Sequence, residues 1–248
     1  MGPRLLLFLA LLVAAADARG ANGIFGVLGE DDRRVLDAGD ARWFAVGRIE
    51  RRDGNFCTGV LIASARVLTA AHCVWDAAAG RFVFPFDLHF LAGYRRGRHM
   101  GRAVAAEVVT SPELRFDARG RPTRVEDDWA VLRLARPIVE ITPLPVFDEG
   151  LEALRLRDLV LTRIGYSRDR PHLPMRVRRC HLLARAFGGV LLVHDCDATY
   201  GDSGSPLLVR TPSGYRVLGV QSALMELGPR RLPVAVLVHG HIPEKLLH

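Results

Sequence analysis

What most limits the fold of this chain is a succession of apolar runs, four to eight residues long, each stopped by glycine, proline or a charged turn such as Arg52-Asp53-Gly54. The runs are rich in valine, isoleucine and leucine and are too short for helices, so they read as β-strands. Six precede Arg136-Pro137: 43–49, 57–62, 66–70, 88–93, 103–109 and 129–134. Six more follow the link Pro143-Leu144-Pro145, where proline cannot support a sheet ladder: 158–164, 176–183, 190–194, 207–210, 216–222 and 233–238. Two groups of six predict an all-β fold: two six-stranded antiparallel β-barrels with a cleft between them. A length of 248 residues suits one such domain, and a hydrophobic share of 49% supplies its core. No repeat of 20–50 residues is visible. Residues 149–157 have a short helical look, and 242–248 would close the chain as one helical turn. The loop 115–124 is exposed by composition, as a solvated loop or a recognition surface.

Three short stretches carry chemistry. Gly201-Asp202-Ser203-Gly204-Ser205-Pro206 sets a serine between two glycines, just before an apolar strand. Glycine tolerates the backbone angles of a sharp turn that bares a hydroxyl and its neighbouring amides. A serine hydroxyl needs a base to become a useful nucleophile. A base stands upstream in Leu68-Thr69-Ala70-Ala71-His72-Cys73, and an acid in Asp127-Asp128-Trp129-Ala130-Val131-Leu132. Side chains alternate along a strand, so Asp128 shares a face with Ala130 and Leu132, and Asp127 reads as a solvated neighbour.

Taken together and in this order, Thr-Ala-Ala-His-Cys, Asp-x-Ala-Val-Leu and Gly-Asp-Ser-Gly-x-Pro resemble the chymotrypsin-like (trypsin-fold) serine peptidases, from about Val27 to the C-terminus. The resemblance implies a catalytic triad of His72 as general base and acid, Asp128 as its orienting partner and Ser203 as nucleophile. It implies an oxyanion hole from the N–H groups of Gly201 and Ser203. Four cysteines allow three connectivities. Proximity and the family pattern both favour Cys57 with Cys73 and Cys180 with Cys196, each bridge worth on the order of 3 kcal/mol in the chain-entropy model.

Asp202 is expected to be buried beside the nucleophile, and activated relatives pair it with a new N-terminal ammonium. This chain has no Arg-Ile-Val-Gly-Gly cleavage site, and Ile24 or Val27 would have to supply that terminus. Asp197 and Ser222 are the substrate-pocket candidates. Asp197 lies six residues before Ser203, the offset of the acidic pocket floor in trypsin, which implies a preference for basic residues. Cys196 directly precedes it, however, and Cys196-Asp197-Ala198-Thr199 also resembles the bacterial glutamyl endopeptidase-like branch. Those enzymes use a histidine in the strand after the nucleophile, where this chain has Gln221. Asp31-Asp32-Arg33-Arg34 reads either as a solvated turn or as the Asp-Arg that this branch carries near its mature N-terminus.

The first residues, Met1 to Arg4, the uncharged run Leu5–Ala16 and the exit Ala16-x-Ala18 read as a signal peptide. The run is too short to span a bilayer, so no membrane anchor is expected after cleavage. The predicted organisation is a signal peptide at 1–18, a leader or short propeptide at 19–26, and a peptidase domain at 27–248. Its barrels fall at about 27–135 and 146–240. Secretion or a periplasmic location follows. The net charge of +7 comes almost wholly from arginines scattered over every segment, unlike the dense basic arm of a nucleic-acid binder. No Cys-x-x-Cys pair suggests zinc, and neither metal nor cofactor is expected. The expected protein is a monomeric secreted serine endopeptidase acting on polypeptides, with a catalytically silent trypsin-fold binding protein as the alternative.

Overall fold

A computed structural model describes residues 26–149, 159–227 and 230–248. The proposed signal peptide, most of the leader and the helical stretch expected at 149–157 lie outside the described residues, apart from Gly26 and Glu149. The chain is all-β. A first closed barrel is formed by β2 (Val46–Arg51), β3 (Phe56–Ala63), β4 (Arg66–Thr69), β7 (Leu88–Ala92), β8 (Gly101–Thr110) and β9 (Ala130–Leu134), in the order β2-β3-β4-β9-β8-β7. A second is built from β10 (Val160–Gly165), β11 (Met175–Ala186), β12 (Leu191–His194), β13 (Pro206–Thr211), β14 (Gly214–Leu227) and β15 (Arg230–Leu237). Its order is β11-β10-β13-β14-β15-β12, and pairing of β12 with β11 closes the ring. Every ladder is antiparallel.

Each of the twelve predicted strands meets an observed one, with shifts at the ends. The two-residue strands were not foreseen: β1 (Arg34–Val35), which lies against β11, and the hairpin of β5 (Trp75–Asp76) with β6 (Arg81–Phe82). Two residues are too few for a period to register. Trp43, expected to open a strand, instead ends a 3₁₀ turn, Ala41–Trp43, and is buried there. The C-terminus closes with the 3₁₀ turn Glu244–Leu246, its Ile242, Leu246 and Leu247 buried.

Strand β11 shows how local sequence becomes packing. Met175 and Val177 face inward by simple alternation, yet Cys180, three residues on, is buried as well. The register slips there: Cys180 lies opposite Leu161 and Arg178 opposite Thr162, leaving Arg179 unpaired with a φ of 59°. This bulge resets the phase of the strand and re-aims Cys180 at Cys196. The two disulfides are Cys57–Cys73 and Cys180–Cys196, the pairing expected from proximity and family pattern.

Candidate active site

Strand pairing brings His72 and Asp128 together. Thr69, at the end of β4, lies opposite Ala130, at the start of β9, so the residues just beyond one end and just before the other emerge side by side. His72 sits in the 3₁₀ turn Ala71–Val74, with Cys73 beside it tied to Cys57. Asp128 follows the 3₁₀ turn Val125–Asp127 and is buried. Its Oδ1 accepts the backbone N–H of His72 at 2.9 Å, and its Oδ2 lies 2.7 Å from His72 Nδ1. Ser222 donates its hydroxyl to the same Oδ2 at 2.5 Å. Burial works against ionising Asp128, but the charge and hydrogen bonds of His72, with the Ser222 hydroxyl, outweigh it and hold the carboxyl below its usual range. Burial likewise opposes protonation of His72, yet the charge and hydrogen bond of Asp128 prevail and hold the imidazole above 6.5. Asp127 is not solvated, as the sequence suggested. It is 4% exposed and accepts the Ser111 hydroxyl at 2.6 Å, because the tight turn before β9 folds it back under Ser111.

The serine turn is clamped between the barrels. Gly201 and Gly204 both have positive φ, 90° and 81°, and a Cβ on Gly204 would overlap the Thr58 carbonyl oxygen. Thr58 of β3 donates its N–H to the Ser203 carbonyl at 2.9 Å and its hydroxyl to the Gly201 carbonyl at 3.1 Å. On the other side, Gly204 N–H reaches the Gln221 carbonyl at 2.8 Å. Among the described residues, neither the N–H of Gly201 nor that of Ser203 donates a hydrogen bond. Both donors are therefore free of a protein partner.

Asp202 is fully buried, as expected, but its partner is a side chain. Arg163 of β10, also fully buried, forms an ion pair with Asp202 Oδ1 at 2.6 Å. The other carboxylate oxygen accepts the Ser167 hydroxyl and the Thr199 N–H, each at 2.9 Å. Arg163 Nε donates to the Asp197 carbonyl at 2.7 Å. With these contacts the carboxylate has no need of a terminal ammonium from Ile24 or Val27. Gly165 makes the pair possible: a Cβ there would overlap Ser205 Oγ and crowd both charged groups.

His72, Asp128, Ser203 and Ser222 line one open cavity of about 850 Å³. The second barrel contributes Ala198, Thr199, Gln221, Ala223 and Leu224; the first contributes the loop from Asp117 to Val125, which is thus a wall of the cleft. Asp197 is not part of that lining. It is 2% exposed, and its carboxylate accepts the N–H of Leu28 at 2.6 Å and of Asp32 at 3.2 Å. Gly26 O accepts the Ala198 N–H at 3.0 Å, so the strap from Gly26 to Asp32 runs behind the wall. The expectation of an acidic pocket floor is corrected accordingly: the strap binds the carboxylate from behind. Arg33, read as part of a solvated turn or a branch-like Asp-Arg, is 1% exposed and clasped by Asp31 and Asp169, which excludes the solvated turn.

Sequence reasoning passed over Arg163, Thr58 and His194. Arg163 carried a usable signal: a lone arginine amid Val160-Leu161-Thr162-Arg163-Ile164, on the inward phase of a strand, demands a buried acid. Thr58 and His194 carried none, since what matters about them is contact across long loops.

A family model described as a trypsin-like peptidase domain matches residues 57–220. Among solved structures, one of a Glu endopeptidase in complex with MPD superposes with a TM-score of 0.69 at 19% identity, covering 86% of this chain and 94% of the other. A search of curated proteins finds no match.

Proposed function

Because the chain belongs to the trypsin-like peptidase domain family, we propose that it is a secreted serine endopeptidase whose triad is His72, Asp128 and Ser203. The observation that carries this reading is the joint placement of the 2.7 Å His72–Asp128 pair and Ser203 on one cavity, beside two unspent backbone donors. Ser203 Oγ attacks the scissile carbonyl while His72 Nε2 takes its proton. The new C–O bond makes a tetrahedral oxyanion, received by the N–H groups of Gly201 and Ser203. His72 then gives its proton to the departing amine as the C–N bond breaks, leaving an acyl-enzyme. Water repeats the sequence through the same base and frees the acid and Ser203. Asp128 keeps the ring proton on Nδ1, so that Nε2 is left unprotonated to act as the base. The two disulfides favour an oxidising compartment, outside the cell or in the periplasm. No metal or cofactor enters the scheme.

The test is covalent. A fluorophosphonate probe should label the protein once, and peptide mass analysis should map the label to the peptide holding Ser203. Absence of labelling in folded protein, or a label elsewhere, would favour a silent binding protein over a peptidase.

A further inference from the structure

We infer that the subsite beside Ser203 accepts an uncharged, chiefly apolar side chain and rejects both acidic and basic ones; this rests on the peptidase reading above. A substrate carbonyl held on the amides of Gly201 and Ser203 sends its side chain between the segments that flank those amides, 198–200 and 221–224. The facing groups there, among them Ala198, Thr199, Tyr200, Gln221, Ala223 and Leu224, carry neither a carboxylate nor a cation. Apart from His72 and Asp128, the ionisable side chains lining the cavity are Tyr200, Asp117 and Arg121. Asp117 and Arg121 belong to the first barrel and pair with each other at 3.0 Å.

The amide N–H groups of Gln221, at the base of the subsite, are already committed. Gln221 is 3% exposed, and its Nε2 donates to the carbonyls of Ala223 at 3.0 Å and Val234 at 3.2 Å. That fixes which way the amide points and leaves no N–H for a carboxylate. Behind it stands His194, fully buried, whose Nδ1 accepts the Cys196 N–H at 3.2 Å. Its remaining proton is therefore on Nε2. Burial, then the charge of Arg163, pushes His194 down to about 3 against the pull of Gln221, so no imidazolium forms at working pH. Asp197 is turned away by the strap. Among the described residues of these two segments, an acidic side chain thus finds no cation and a basic one no carboxylate. Either would lose its water with no opposite charge to replace it, which is costly. An aliphatic side chain meets Ala198, Ala223 and Leu224 at no such cost.

The experiment measures kcat/KM on a peptide series differing only at the residue before the scissile bond, with Ser203→Ala as control. Leucine or methionine there should exceed arginine, lysine, glutamate and aspartate by at least about a hundredfold. Asp197→Asn should leave that ranking unchanged, and Leu224→Asp should raise arginine relative to leucine at least tenfold. A wild-type preference for arginine or glutamate, with probe labelling intact, overturns the inference and spares the peptidase reading. If no peptide is cut and no probe is bound, the peptidase reading fails and takes this inference with it.

Discussion

Asp128→Asn should lower kcat by about 10⁴-fold while leaving the fold intact, because it forces His72 into the wrong tautomer. The structure dictates which way the new amide turns. His72 N–H points at the Oδ1 position from 2.9 Å, so that position must keep an oxygen. The NH₂ group then falls at the Oδ2 position, 2.7 Å from His72 Nδ1. An N–H facing Nδ1 makes that nitrogen an acceptor and moves the ring proton to Nε2, where it can no longer accept from Ser203. The Ser222 hydroxyl, now facing a donor, can turn to accept and adds to the lock. Steady-state kinetics on folded variant checks the drop, and a loss under tenfold would remove Asp128 from the triad.

The pH profile supplies a second reading of the same contact. With His72 as the proposed general base, activity should fall as pH drops through the imidazole pKa. Asp128 raises that pKa above 6.5, so the acid limb of kcat/KM should have its midpoint above 6.5 in the wild type. In Asp128→Asn the burial penalty stands alone, and the midpoint of the residual activity should move below 6.5. A limb that stays in place would mean that another group titrates.

The strands, the disulfides and the three motifs were legible because each is written locally, in runs of apolar residues, in cysteine proximity or in a turn. What was not legible is where buried charges point. Asp197 and Asp202 stand five apart on one segment, yet one turns to Leu28 and Asp32 and the other to Arg163. The offset shared with trypsin sent Asp197 into the substrate cavity, because nothing in that offset reports a strap from residues 26–32 arriving behind it. Asp127 was misjudged for a related reason: its burial depends on Ser111, at the far end of an intervening loop. The Arg179 bulge was invisible as well, since a shift of one residue in β11 shows only against its partner β10.

Arg163→Met should cost about 3–5 kcal/mol of stability, the scale for removing one partner of a buried ion pair. Arg163 and Asp202 are both fully buried at 2.6 Å, so the variant strands a carboxylate with no solvent to screen it. Ser167 and Thr199 would still donate to Oδ2, but Oδ1 would face the space the guanidinium left. The Asp197 carbonyl and Ser205 hydroxyl would lose their donor together, which loosens the segment carrying Gly201 and Ser203. Catalysis should therefore suffer in the fraction that still folds, through poorer placement of the oxyanion donors. Adding Asp202→Asn to Arg163→Met removes the stranded charge, so the double variant should regain more than half of the lost stability. Chemical denaturation of the two single variants and the double measures the coupling directly. Additive losses, with no recovery in the double variant, would mean that Arg163 acts on the core by its volume alone. A free N-terminal ammonium would then again be needed to explain how Asp202 lies buried beside Ser203.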